Sequence, residues 1–361
     1  MSYQQHVTTR HPRRMVWYGW FRSDGSPLSL PRAGSPRRRA DGKCPRFRAR
    51  AGSSTGRLGP LAALGVAWGV VTRKIDAEIA VPAQCELAEG PVWDVTRGLL
   101  RWVDILGGQV HALDPVSGAH SSFGTGQPVG AVGLSRDGGL ILALAGGFAR
   151  SGPEGQDLRA FGDFSVDQSL TRLNDGKPDP WGSFWAGTMA VPEDSGYPCS
   201  LYRLSPDGVV TELFGGVGLS NGLDWSDDRR VFYYSDSHAG VDVFGTDPDT
   251  GALGTRRRFT EVSGGLPDGL TLDAEGGLWL AVWGSGELRR YLPDGRVDVV
   301  VSLPVTQVTS AAFGGADLGT LYITTARENF TPADLAAQPH AGDIFACTPG
   351  VTGRPPFLFG R

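Results

Sequence analysis

The feature that most constrains the fold is a unit of turn plus strand that recurs six times after residue 75. Each instance is an Asp/Gly-rich turn followed by four or five apolar or aromatic residues. Examples are Gly98-Leu99-Leu100-Arg101-Trp102-Val103, Asp137-Gly138-Gly139-Leu140-Ile141-Leu142 and Glu275-Gly276-Gly277-Leu278-Trp279-Leu280. With Leu100, Leu140, Phe184, Phe232, Leu278 and Leu321 as markers, the steps are 40, 44, 48, 46 and 43 residues. A period of about 40–50 residues with several short strands per unit marks propeller blades. One blade cannot bury both of its faces, so its neighbours must stack on it. Further strand candidates at 109–113, 200–204 and 287–292 lead into Asp/Pro/Gly turns and read as outer hairpins. The expected fold is all-β: a six-bladed β-propeller over residues 75–361, with one turn of helix at 332–337. A pair of β-sandwiches would not explain the even phasing.

Composition supports this and narrows the partners. Gly at 53 and Pro at 25 punctuate the chain without collagen-like phasing, which suits short strands and many turns. The net charge of −4 hides an asymmetry: residues 1–74 carry +13 and the remainder −17. An acidic body argues against nucleic acid as a partner. Residues 1–56 interleave Arg runs with Gly, Ser and Pro and show no apolar period, so residues 1–74 read as a disordered or mis-assigned N-terminal extension. A targeting segment and a basic nucleic-acid arm are the other readings. The apolar run 58–71 falls short of the ~18–20 residues that span a bilayer, so no membrane partner is expected. Cys44, Cys85, Cys199 and Cys347 lie far apart with no zinc-ribbon spacing, which points to a reducing, cytoplasmic setting. Oligomeric state is not readable.

The innermost strands of a propeller line a central channel, so residues at their entry points share one face. Four such points carry oxygen or amide side chains beside Gly: Glu89-Gly90, Asn174-Asp175-Gly176, Ser220-Asn221-Gly222 and Pro267-Asp268-Gly269. Such a set would suit Ca²⁺, Mg²⁺ or Mn²⁺ and could accept Zn²⁺. Asn-Gly and Asp-Gly are also plain turn dipeptides, and composition alone leaves both readings open. The second of these points lies in a polar stretch, 172–180, that reads as a Gly/Pro-broken loop before a strand at 182–189. Gly218-Leu219-Ser220-Asn221-Gly222 fits a nucleophile-elbow pattern, but no helix follows it, so Ser220 is not expected to act as a nucleophile. His238 stands near the expected channel rim, where a surface or supporting role is the better reading.

Taken in order and spacing, several segments resemble the SMP-30/gluconolactonase/regucalcin-like family of six-bladed propeller lactonases. They are Glu89-Gly90-Pro91-Val92-Trp93, Trp102-Val103-Asp104-Ile105, residues 172–189, Ser220-Asn221-Gly222-Leu223-Asp224-Trp225-Ser226, Pro267-Asp268-Gly269, Leu321-Tyr322-Ile323-Thr324 and Gly342-Asp343-Ile344-Phe345. The resemblance implies one divalent cation (Ca²⁺, Zn²⁺, Mg²⁺ or Mn²⁺) held by Glu89, Asn221 and Asp268. It further implies Asp268 as catalytic acid/base, and Arg172 and Asn174 as contacts to a sugar lactone. Where some relatives add an acidic residue after Gly-Thr-Met, this chain has Pro192. Glu193, one position along, is the expected substitute in substrate binding. Asp175, Lys177 and Asp179 are expected only to shape the loop. The implied reaction is metal-dependent hydrolysis of an aldonolactone to its aldonic acid. The rival readings are a metal-dependent esterase or phosphotriesterase, and a calcium-binding regulatory propeller without turnover.

Overall fold

The computed structural model describes residues 72–361. The N-terminal extension expected over residues 1–74 therefore lies outside the described residues except for its last three positions. Among the described residues, nearly all regular structure is β, arranged as six sheets, each with four antiparallel strands, that are the blades of a propeller. The inner strands, in chain order, are Ala88–Asp94, Val129–Leu134, Thr171–Pro178, Ser220–Trp225, Leu266–Leu272 and Val308–Gly314. All six marker residues of the repeat fall in the second strands of their blades, and the helical turn forms at Pro332–Ala337, capped by Thr331. No helix among the described residues is long and apolar enough to cross a membrane.

Second strands are buried along most of their length because a blade packs against a neighbour on each face. Leu140–Leu144 is buried at every position, as expected for a strand covered on both sides. Blades 3 and 4 meet through Trp185, Trp225, Phe232, Tyr234 and Phe244, with the Trp185 and Trp225 rings edge-on at 4.9 Å. Two blades share a turn device visible in the sequence as Asp followed six residues later by Trp. Asp179 accepts hydrogen bonds from the Trp181 and Ser183 N–H groups and from Trp185 Nε1 at 2.7 Å. Asp273 does the same for Glu275, Gly277 and Trp279 Nε1. The carboxylate satisfies a buried indole donor and fixes the turn, so both ends of the motif are needed. Asp179 is thus a turn-shaping residue.

Ring closure is not sequential. Glu78–Val81 does not open blade 1; it is the outermost strand of blade 6 and pairs with Ile344–Cys347. Arg73–Asp76 adds a fifth, parallel strand to blade 5 beside Val297–Ser302. Both pairings cover edges that would otherwise be open to other chains. At the other end, a C-terminal strap runs from Thr352, bonded to Ala274, to Phe359, which exchanges hydrogen bonds with Leu134 and Arg136. It crosses the face where the inner strands end.

The polar stretch 172–180 corrects the loop reading: Thr171–Pro178 is the inner strand of blade 3. The cause is a bulge. In blades 3, 4 and 5, two inner-strand residues oppose one on the second strand, between Leu173 and Gly176, Ser220 and Leu223, and Pro267 and Leu270. A bulge re-aims side chains and bends the strand, so polar residues there face the channel while pairing continues on either side. The bulges also bring adjacent inner strands very close. A Cβ on Gly222 would lie 2.4 Å from the Leu270 nitrogen. Gly222→Ala is therefore expected to destabilise the protein by about 1–3 kcal/mol through overpacking, measured as a lower urea midpoint with unchanged slope. An unchanged midpoint would show that the inner strands can separate freely.

Candidate functional site

The starts of the inner strands enclose a cavity of about 310 Å³ at the end of the channel opposite the strap. All six residues expected from the sequence line it: Glu89, Arg172, Asn174, Glu193, Asn221 and Asp268. Glu89, Asn174, Asn221 and Asp268 are buried, from four different blades. Bulge positions deliver Asn174, Asn221 and Asp268, one from each of blades 3, 4 and 5.

Each amide is held in one orientation. Asn221 Nδ2 donates to Ser237 Oγ at 3.0 Å, and Ser237 Oγ donates to the Pro267 carbonyl at 2.7 Å. With its NH₂ so engaged, Asn221 turns Oδ1 away from Ser237, and that oxygen is buried without a hydrogen-bond partner. Asp268 Oδ1 is orphaned in the same way. Asn174 Nδ2 donates to the Ser220 carbonyl at 2.9 Å, and its Oδ1 accepts from Arg172 Nη1 at 2.7 Å. Glu89 Oε2 accepts from the Gly90 N–H at 2.7 Å.

The electrostatics are those of carboxylates crowded away from water. Burial first, then the neighbouring Asp175, pushes the Glu89 carboxyl up to about 8. Burial raises Asp175 to about 6. Asp268 is raised well above the ordinary carboxylate range by burial and by Glu89 and Asp175. Arg172 is drawn down to about 10 by burial, opposed by Glu328, Glu193 and Glu89. Three buried acids beside an orphaned carboxylate oxygen on Asp268 and an orphaned amide oxygen on Asn221 are costly unless the acids are protonated or a cation is bound. An all-oxygen donor set of Glu89, Asn221 and Asp268 fits a hard divalent ion.

Asp175 is the residue the sequence reading undervalued. It stands at the bulge position that Gly222 and Gly269 fill in blades 4 and 5, so it lines the channel directly below the cavity. The signal was there: a carboxylate where the equivalent strands carry glycine. Lys177, also expected only to shape a loop, points into the lower channel and meets Asp224 at 3.3 Å and the Leu270 carbonyl at 3.0 Å. The rim adds Trp283, Gln307, Glu328 and Asn329, which no repeat phase marked. His238 contacts Glu193 at 3.0 Å, both partly exposed at the rim. Ser220 is buried in the inner strand and its Oγ accepts from the Tyr234 hydroxyl at 2.8 Å.

The model of the SMP-30/gluconolactonase/LRE-like region matches residues 87–327. Regucalcin of Oryctolagus cuniculus is 38% identical over 79% of this chain and 98% of its own length. The 6-deoxy-6-sulfogluconolactonase of Pseudomonas putida is 39% identical over 74% of this chain and 92% of its own. Among solved structures, a calcium-binding regucalcin from Agrobacterium tumefaciens superposes with a TM-score of 0.75 at 28% identity, covering 80% of this chain and 98% of the other. The family match spans all six blades' inner strands and every cavity residue up to Arg327, and on that ground the chain belongs to the SMP-30/gluconolactonase/LRE-like family.

Proposed function

We propose that the propeller of residues 75–361 hydrolyses a sugar lactone, an aldonolactone, to its aldonic acid in a cation-dependent reaction. The observation that carries this reading is the pair of buried, partnerless oxygens, Asn221 Oδ1 and Asp268 Oδ1, beside Glu89 and under Arg172. Cation storage alone does not call for a half-buried arginine in the same cavity. The names of relatives, a sulfogluconolactonase and a sugar lactone lactonase of Bacillus subtilis described as putative, support the same class.

Glu89, Asn221 and Asp268 would hold the cation (Ca²⁺, Zn²⁺, Mg²⁺ or Mn²⁺). Bound there, it would polarise the lactone carbonyl and stabilise charge on its oxygen. Asp268 takes a proton from the attacking water and returns it to the ring oxygen as the C–O bond breaks. Arg172, whose Nη1 is fixed on Asn174 and the Leu173 carbonyl, keeps its other donors for the sugar oxygens. Glu193, Glu328 and Asn329 at the rim offer acceptors for ring hydroxyls. The free thiols Cys85, Cys199 and Cys347 support a reducing, cytoplasmic setting.

The test is a panel of aldonolactones with chelated protein and each divalent ion restored in turn. Hydrolysis is expected to fall by about a hundred-fold or more on chelation and to return with at least one ion. Turnover of phosphotriesters or non-sugar esters in preference to lactones would move the assignment to another hydrolase. Tight Ca²⁺ binding with no turnover of any substrate would replace it with a regulatory role.

A further inference from the structure

We propose that Cys85, His111 and Asp104 form a second metal site, for a borderline ion such as Zn²⁺, at the seam where the propeller ring closes. Cys85 lies in the crossover between the outermost strand of blade 6, Glu78–Val81, and the inner strand of blade 1, Ala88–Asp94. Its N–H donates to the Gly342 carbonyl at 2.9 Å, which anchors the crossover on the blade 6 side. Asp104 ends the second strand of blade 1 and His111 sits in the third. Cys85 Sγ is 3.9 Å from His111 Nε2, and one ligand atom from each of the three residues lies within 4.8 Å of the others. An ion held at about 2.3 Å from sulfur and about 2.0–2.2 Å from nitrogen and oxygen needs ligand atoms roughly 3.5 Å apart. Closing the site thus takes shifts on the order of 1 Å.

The surroundings prepare each ligand. The His111 ring is stacked on Trp102, with centroids 5.0 Å apart and planes 5° apart. Its Nδ1 is 3.1 Å from His120 Nε2. With Nδ1–H donating to His120, the lone pair of Nε2 is left for Cys85 and an ion, the arrangement by which an outer hydrogen bond orients a ligating imidazole. Asp104 is fixed by the Glu86, Leu87 and Gly107 N–H groups, with only Glu86 on Oδ2, so Oδ2 retains acceptor capacity. Trp102 is fully buried and its Nε1 faces the Cys85 thiol. A metal-bound thiolate would accept that proton donor. Sulfur ligates as the thiolate, so binding releases one proton from Cys85 to solvent.

The two sites differ in kind. The channel offers oxygen alone and suits a hard ion, whereas sulfur and imidazole select a softer one. Bound ion would tie the blade 6 crossover to the second and third strands of blade 1 and so brace ring closure.

Cobalt(II) reports the distinction directly, because a thiolate-to-cobalt charge-transfer band needs a sulfur ligand. Titration of the reduced full chain with Co²⁺ is expected to give that band, saturating at one ion per chain. Cys85→Ser and His111→Ala should lose it, with near-UV dichroism showing native packing, whereas Asp268→Asn, Cys199→Ser and Cys347→Ser should keep it. Absence of the band in wild-type protein with a titratable, reduced Cys85 would overturn the proposal. So would its persistence in Cys85→Ser.

Discussion

Asp268→Asn should lower kcat/KM for lactone hydrolysis by about a thousand-fold or more while leaving the propeller folded. The substitution is nearly isosteric, yet it removes both roles given to this residue. Asparagine cannot accept and return the water proton, and it lowers the charge of the set that would hold the cation. Stability should move the other way. Asp268 Oδ1 is buried without a partner, and Glu89 and Asp175 both oppose its ionisation. Removing the carboxylate relieves that conflict, so the metal-free variant is expected to unfold at a temperature equal to or above wild type. Loss of function with undiminished stability is the signature of a residue retained for chemistry rather than for folding. Glu89→Gln should follow the same pattern with a smaller loss, since Glu89 would hold the ion without moving the proton. Lactone turnover by Asp268→Asn within a few-fold of wild type would overturn the assignment. A sharply lowered melting temperature would show instead that the carboxylate is structural.

Much of the fold was legible because the propeller repeats itself. Six turn–strand units at even spacing identified the second strands, where burial on both faces demands unbroken apolar runs. The site was legible where its residues share a phase, as Asn221 and Asp268 do before a glycine. Legibility failed where geometry departs from a local rule. The bulge that makes 172–180 a strand depends on register against the Phe184–Ala190 strand, which no local pattern encodes. Asp175 was undervalued for a related reason: the sequence shows a carboxylate beside Asn174, and the register then shows that it stands in a glycine's place. The rim residues Trp283, Gln307, Glu328 and Asn329 sit at strand ends and in loops, where no periodicity operates. Ring closure by Glu78–Val81 brings together residues 263 or more positions apart, so nothing in either segment names its partner.

The second large effect is expected far from the cavity, at the strap. Arg354→Ala should cost about 3–5 kcal/mol, the usual penalty for stripping one partner from a buried ion pair. Asp224 is buried in the inner strand of blade 4, with its carboxylate shared among Arg354, Lys177, Thr271 Oγ1 and the Trp225 and Leu272 N–H groups. Arg354 also donates to the Trp225 carbonyl at 2.8 Å and stacks over Phe357 at 4.2 Å. One side chain thus neutralises a carboxylate inside the channel and pins the segment that closes the channel's lower end. Burial by itself would raise the Asp224 carboxyl, but Arg354 and Lys177, helped by the Trp225 and Leu272 N–H groups, outweigh it and hold the group below its ordinary value. A carboxyl depressed in the folded state contributes stability that is fully present above its unfolded pKa of about 3.9. That contribution is lost as the pH falls through the folded value. The gap in urea midpoint between wild type and Arg354→Ala should therefore be widest near neutral pH and shrink below about pH 4, as Asp224 takes up a proton in both proteins. Arg354→Lys should recover part of the loss, because an ammonium restores the charge but not the stack on Phe357. A gap that stays constant from neutral pH down through the acid range would mean that Arg354 holds the strap by packing alone.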